Sequence, residues 1–422
     1  MESPKSLALL GAGNRGRRVY SKYILENKKR LKLVSLAEPI KERREIVAGE
    51  HGLKSGDVFS CWEELLSARE DLDGVIVSTM DRDHLAPTLK ALQKGCKVLL
   101  EKPMATKIED LLDLTGANQA HPEKIIVAHV LRYTRFYKKI KEILDKKVVG
   151  KVRLVQHTEK IGFFHFAHSF VRGNWRKEEN SCPIILAKCC HDLDLLQWWL
   201  PHKCTILRSR GQLSFFNSEN KPREAGDRCL QCSLERTCAY SATKIYLAEN
   251  TDWPVTAITE DLTPEGIKKA LEEGPYGRCV FACDNDVPDL QTVEMEFEDD
   301  LIVQFALTGF SGEINRTTNI FGTKGEIRGD FASGKIVVEI FGQEKEEINL
   351  APDRGDHGGG DLGLMDSFTR FLQGEKLEIS SGVDTSLESH LLALAAEESR
   401  KEKKDIAMSL FRENFIENKK GC

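Results

Sequence analysis

Leu7-Ala8-Leu9-Leu10-Gly11-Ala12-Gly13-Asn14-Arg15-Gly16-Arg17-Arg18 runs from a short apolar stretch into a Gly-x-Gly-x-x-Gly turn, then into residues that can open a helix. Gly11 permits the tight turn, Gly13 lets backbone approach a pyrophosphate, and Gly16 lets the helix lie close to the strand. The free N–H groups of the helix start face the phosphates, so Asn14 and Arg15, between the last two glycines, belong to the same binding turn.

A glycine fingerprint alone is a weak signal, and the next strand supplies the check. Leu31 to Ala37 reads as a second strand that ends on Glu38, where a dinucleotide site places its ribose-binding acid. A carboxylate there accepts hydrogen bonds from a free 2′-hydroxyl and repels a 2′-phosphate, which favours NAD over NADP. Arg43 and Arg44 stand close enough to keep NADP as the alternative. The spacing predicts an α/β Rossmann domain at the N-terminus.

With 422 residues the chain is too long for one ordinary core and fits a cofactor half and a substrate half. Its 61 Lys+Arg against 66 Asp+Glu give a net charge of −5 without a long basic run, which argues against nucleic acid and for a small-molecule partner. Met1 to Ser6 leads straight into the first strand with no signal-peptide pattern, and no apolar run approaches the roughly 20 residues that span a bilayer. A soluble, cytoplasmic protein is expected, so the 12 cysteines are read as reduced thiols or metal ligands.

Along the chain, Lys41 to His51 reads as an amphipathic helix and Asp73 to Thr79 as a buried parallel strand. The polar residues at the end of that strand occupy the place where open α/β sheets bind ligands, which points to Ser78, Thr79 and His84 as cofactor neighbours. A helix, Gly95 and the strand Cys96 to Leu100 follow, ending in Glu101-Lys102-Pro103.

The glycine fingerprint, the second strand ending Ala37-Glu38-Pro39, the strand followed by a polar turn and His84, and the triplet Glu101-Lys102-Pro103 together resemble the Gfo/Idh/MocA family of oxidoreductases. The match is by motif over the first 130 residues and by layout beyond. The resemblance implies that Lys102 lies between nicotinamide and substrate, that Glu101 borders the cofactor, and that the bond before Pro103 is unusual, often cis. A lysine at the carboxyl end of a sheet strand can also relay a proton. The expected organisation is an NAD-binding domain over 1–130 and an α+β domain over 131–422. The second domain carries a large, mostly antiparallel open sheet, used for substrate and subunit contacts in a homodimer or homotetramer, and a cysteine-containing insertion near 204–240.

Leu131 to Tyr137 begins a helix that crosses between the halves, and Lys151 to Glu159 alternates like a strand with one covered face. Further strands are expected over 292–297, 302–307, 318–322, 326–330 and 335–340. Phe163 to Arg176 is dense in aromatics and donors; it either stacks on a polar ring through Trp175 and Arg176 or is a loop pinned by its own aromatics. Ile185 to Trp199 reads as a helix. In the family such a helix carries an acid, a histidine one turn later, and a second acid. His191 and Asp194 keep the last two places, while the first falls on Ala187. Lys188, at i−3 from His191, can stand in for the missing acid. His191 is the expected general base, titrating near neutrality; a buried core histidine is the alternative.

Cys229, Cys232 and Cys238 form a C-x-x-C with a third thiol nearby, and a structural zinc needs one more ligand from Cys204, Cys279 or Cys283. Asp284 to Asp289 is an acidic, turn-rich stretch suited either to sugar hydroxyls or simply to turns. The glycine-rich loop 355–361, tipped by His357, resembles a loop near the active site of carbohydrate-acting relatives, and Asp361 is a candidate N-cap. A final amphipathic helix is expected over Ser386 to Lys401, with the charged tail from Glu402 fraying. The resulting expectation is an NAD-dependent oxidoreductase of a sugar, polyol or carbohydrate derivative. The same parts would serve a redox-assisted glycosidase that oxidises, eliminates and re-reduces; a non-catalytic NAD-binding sensor is the third reading.

Overall fold

The computed structural model describes residues 3–249, 251–351, 356–376 and 380–421. Gly355 of the glycine-rich loop therefore lies outside the described residues. Six parallel strands form the first sheet: β1 (Lys5–Leu10), β2 (Leu31–Ala37), β3 (Val58–Phe59), β4 (Gly74–Val77), β5 (Lys97–Leu100) and β6 (Ile125–Val127). Their order is β3-β2-β1-β4-β5-β6, which reverses between β1 and β4. All four residues of β4 are buried, as its β-branched run requires in a sheet covered on both faces. At the reversal Gly11 N–H donates to Ala37 O at 2.8 Å and Ser78 N–H to Leu10 O at 2.9 Å, fixing both turns beside one crevice.

The second sheet has nine strands: β7 (Val152–Lys160), β8 (Cys204–Gln212), β9 (Leu290–Phe297), β10 (Leu301–Thr308), β11 (Asn315–Gly322), β12 (Gly325–Asp330), β13 (Lys335–Ile340), β14 (Glu346–Asn349) and β15 (Ile406–Ala407). Their order is β14-β13-β12-β11-β7-β10-β9-β8-β15. Only β7 and β10 pair in parallel, so the sheet is mostly antiparallel. Leu301, Val303, Phe305 and Leu307 alternate inward along β10 and join one continuous core that also includes β1 and β4.

Two expectations are corrected. The stretch from Cys204 to Gln212 is a strand, not part of an insertion; the insertion occupies 213–289, between β8 and β9, and carries its own small core around Tyr246, Ile267 and Leu271. The tail does not fray from Glu402. Ile406–Ala407 pairs with β8, and the helix Met408–Gly421 that follows is anchored by buried Phe411 and Phe415 and by Arg412 on Glu388.

Candidate active site

A cavity of about 610 Å³ opens where the carboxyl ends of the first sheet face the second sheet. Its cofactor end is shaped by the three glycines. Gly11 has φ +88°, and a Cβ there would lie 2.4 Å from Ser78 O; a Cβ on Gly16 would lie 2.0 Å from Gly11 O. Gly13 lines the cavity and a Cβ on it would meet nothing within 4 Å, so its bareness keeps an approach open instead of relieving a clash. The helix begins at Asn14 and passes through a wide π-turn over Gly16–Ser21, leaving Asn14 and Arg15 on the cavity wall. This donor set and open face fit a dinucleotide pyrophosphate.

Glu38 ends β2 but does not line the cavity. Its carboxylate is buried, accepting from Ala12 N–H at 2.6 Å and Ile40 N–H at 2.9 Å, so it braces the glycine turn directly. Ser78, Thr79 and His84 border the cavity as expected positions on the β4 turn. His84 Nδ1 lies 2.7 Å from Pro103 O, which couples this turn to the Glu-Lys-Pro triplet, whose Lys102–Pro103 bond is cis.

Glu101 turns inward and accepts from Arg15 Nε at 2.6 Å, from Tyr20 OH, and from Lys102 N–H at 3.0 Å. Arg15 reaches on to Asp361, 2.6 Å away, and Asp361 holds His357 Nδ1 at 3.0 Å. Asp361 is thus a buried ion-pair partner and not the expected N-cap; Gly359 takes the cap position. Burial would raise the Asp361 carboxyl, but Arg15 and His357 outweigh it and hold it well below the carboxylate range.

At the other end Lys102 Nζ donates to Ala187 O at 2.8 Å. The expected helix 185–199 is broken: Ile184–Ala187 and Cys190–Trp199 are separate helices with Lys188 and Cys189 between them. Lys188 and His191 therefore do not share a continuous helical face, yet both line the cavity. Lys188 Nζ lies 3.4 Å from Glu159, a fully buried carboxylate on β7 that also contacts Arg316 at 2.6 Å.

His191 makes no hydrogen bond among the described residues, and its Nδ1 is sealed from solvent. Burial, then the charges of Lys102 and His357, hold its pKa well below the ordinary value, so it is a neutral imidazole and not a group titrating near neutrality. Asp194 does not touch it. That carboxylate accepts both Arg132 Nε and Nη2 at 2.6 Å and locks the helix against the first domain. The neighbouring Asp192 pairs with Arg316 Nε at 2.7 Å and His157 Nε2 at 2.9 Å. Burial works to raise Asp192, but Arg316 and His157 pull it down to about 2.

The aromatic segment is a helix that widens into a second π-turn over Ala167–Arg172. Trp175 lines the cavity, its Nε1–H donating to Asp81 at 2.8 Å. Arg176 does not: it turns to Asp284, 2.9 Å away, so the Asp284 end of the acidic stretch is a structural anchor. At the other end Asp289 accepts the N–H groups of Ser214 and Phe215.

Several lining residues escaped the sequence reading. His165, from the aromatic segment, has a buried and unpaired Nδ1. From the insertion come Trp253, Tyr276 and Glu260; Glu260 pairs with Arg17 on the glycine-turn helix and lies 3.9 Å from Arg18 and 3.7 Å from Arg43. Only the density of aromatics over Phe163–Arg176 announced any of these. The zinc expected at Cys229, Cys232 and Cys238 is corrected: among the described residues no three His, Cys, Asp or Glu side chains gather round one ion.

Residues 5–129 match the model of the Gfo/Idh/MocA oxidoreductase family's NAD-binding Rossmann fold, and residues 141–408 match that of its C-terminal α/β domain. YteT of Bacillus subtilis (strain 168), named as an oxidoreductase, is 27% identical over 353 residues, covering 80% of this chain and 81% of its own. An inositol 2-dehydrogenase/D-chiro-inositol 3-dehydrogenase of Shouchella clausii is 32% identical over 104 residues, 24% of this chain and 30% of that protein. In fold, an oxidoreductase from Agrobacterium radiobacter solved with NAD+, L-tartaric acid and magnesium superposes with a TM-score of 0.69 at 13% identity, covering 96% of this chain and 99% of that one. With both halves matched and the glycine turn open to a dinucleotide, the chain belongs to the Gfo/Idh/MocA family of NAD-binding oxidoreductases.

Proposed function

We propose that the protein oxidises a hydroxyl-bearing carbon of a sugar, polyol or related carbohydrate derivative with NAD, and that His191 takes the hydroxyl proton. The observation that carries this reading is the pairing, in one cavity, of a neutral histidine without a hydrogen bond among the described residues and the side chain of Lys102. Gly13, Asn14 and Arg15 would hold the pyrophosphate of NAD, whose nicotinamide would supply the hydride-accepting carbon. Lys102 spends one of its three N–H groups on Ala187 O and keeps two for a substrate oxygen. With its own proton on the sealed Nδ1, His191 offers Nε2 as the accepting atom. Lys188, anchored by Glu159, supplies a further donor, while Trp175 and His357 line the substrate end.

Incubation with NAD and a panel of polyols and free sugars, read as NADH at 340 nm, tests the reading; His191→Gln should lower turnover by about 10²–10⁴-fold. No NADH from any member of the panel would overturn it. One observation favours a second reading. Glu260 bridges the insertion to Arg17 beside the glycine turn, a contact that suits a retained cofactor. Retained NAD with aglycone release from aryl glycosides and no net NADH would identify the redox-assisted glycosidase.

An exposed row in register across the second sheet, with Ile206, Glu296 and Ile302 on neighbouring strands, supports a homodimer or homotetramer built on that face. Among the described residues no helix is long and apolar enough to cross a membrane, in keeping with a cytoplasmic role.

A further inference from the structure

The cysteines of the insertion form a site of their own. Cys229, Cys232, Cys238 and Cys279 line one cavity of about 230 Å³, walled otherwise by side chains such as Leu234, Val280 and Phe281. The bridge between Arg228 and Arg278, and the bond from Cys279 N–H to Asp227 O at 2.8 Å, bring the distant fourth thiol beside the C-x-x-C pair. The four cysteines line this space without gathering on one point. A tetrahedral zinc, about 2.3 Å from each sulfur, would draw three or four thiols onto one point, and no such gathering exists among the described residues. The space is instead several atoms wide, since a water takes about 30 Å³.

The charge around it points the same way. Arg172 lines this cavity and is fully buried, and a guanidinium keeps its charge at any depth. It donates to Arg278 O at 2.7 Å, to Tyr240 O at 2.8 Å and to Cys229 Sγ at 3.5 Å. No carboxylate pairs with it among the described residues, and Nη1 has no partner at all. A buried cation demands a counter-charge; Glu235 also lines the cavity, but its carboxylate accepts from Thr243 Oγ1, which leaves the four thiols to supply it. Gly226 N–H also donates to Cys232 Sγ at 3.4 Å, the kind of N–H···S contact that stabilises a metal-bound thiolate.

We propose that Cys229, Cys232, Cys238 and Cys279 ligate a [4Fe–4S] cluster that fastens the insertion, with Arg172 as its buried counter-ion. Two ferrous ions, two ferric ions and four sulfides make up the 2+ core with no net electron transfer, and each thiol gives up its proton as its sulfur bonds to iron. Four thiolates on a 2+ core leave a net charge of −2 for the guanidinium to meet. The cluster acts by position. Arg172 shares a helix with His165 and His168, and the insertion carries Trp253, Glu260 and Tyr276, all on the wall of the catalytic cavity.

The test is metal analysis of the full chain, produced and purified without oxygen, then treated anaerobically with ferrous and ferric iron in equal amounts and with sulfide. Iron, acid-labile sulfide and zinc are counted per chain. About four iron and four sulfide per chain are expected, with a visible absorption that Cys232→Ala and Cys279→Ala abolish and the distant Cys61→Ser leaves intact. One zinc per chain without sulfide would overturn the proposal. So would a folded chain, verified by circular dichroism, that binds neither metal. Because the count is made on the wild-type chain and needs no turnover, it stands or falls independently of the proposed oxidation.

Discussion

Lys102 Nζ donates to the main-chain carbonyl of Ala187 at 2.8 Å, so the lysine that ends a first-domain strand is aimed by the helix break of the second. Removing the side chain takes away a donor to the reacting oxygen and no part of the glycine turn. Lys102→Ala should lose about 10²–10⁴-fold in kcat while NAD still binds. Steady-state kinetics beside a calorimetric NAD titration would check this; retained turnover would remove Lys102 from the chemistry.

The glycines of the turn should separate folding from binding. A Cβ on Gly13 meets no neighbour, so Gly13→Ala should leave the urea midpoint unchanged while weakening NAD binding. Gly11→Ala places a methyl 2.4 Å from Ser78 O on a residue at φ +88°, and should cost about 1–3 kcal/mol of stability.

Four buried histidines and the half-buried His165 are held neutral, with desolvation the first cause in each: His129, His165 and His191 well below the ordinary value, His168 and His390 at about 3. A depressed folded pKa means that the unfolded chain binds the proton first. Their contribution is therefore complete above the unfolded value near pH 6.5, and each loses about 1.4 kcal/mol per pH unit below it, until the folded pKa is reached. Urea midpoints should be flat from pH 8 to 7 and fall steeply from pH 6 to 5. A shallow decline would show that these imidazoles protonate in place.

Asp361 holds both Arg15 and His357. Asp361→Ala should cost about 2–3 kcal/mol, less than a fully buried pair because the Arg15 side chain keeps 25% exposure. With its folded carboxyl below the ordinary range, this stabilisation should persist through neutral and mildly acidic pH and fade only below about pH 4. Urea unfolding of wild type and variant at pH 7 and pH 6 should show the same difference at both; a difference that shrinks by pH 6 would show that Arg15 does not hold the carboxyl down.

Glu260 neutralises Arg17, with Arg18 and Arg43 close by, at the cofactor end. Glu260→Gln should speed NADH release and, by freeing those guanidinium groups for a 2′-phosphate, shift the NADP-to-NAD affinity ratio upward by about tenfold. Stopped-flow displacement of NADH and titrations with both cofactors would measure the two effects; an unchanged ratio would place the arginines out of reach.

The glycine turn and the Glu-Lys-Pro triplet with its cis bond were legible because backbone geometry dictates residue type there at fixed spacing, whereas Glu38, expected at the ribose, turns to Ala12 and Ile40 and not to the cavity. Strand β8 was not legible: Arg208, Arg210 and Gly211 blur its alternation, and its inward residues matter only once β9 lies beside it. Sequence pointed to Asp194 as the acid beside His191 and gave Asp192 no role. What separates them is contact with Arg316 and Arg132, 124 and 62 residues away in the chain. The reach of the insertion to Arg17 spans 243 residues and leaves no local trace.

The Arg15–Asp361 bridge joins residues 346 positions apart. At a synthesis rate of about 5–20 residues per second, the ribosome emits Asp361 roughly 20–70 s after Arg15. For that interval the nascent N-terminal half carries an arginine at the mouth of its nucleotide turn with Glu101 and Tyr20, but no Asp361, to hold it. Capture of cofactor by the newborn chain should thus be a late event, and truncated products of interrupted translation should compete poorly for the cell's NAD.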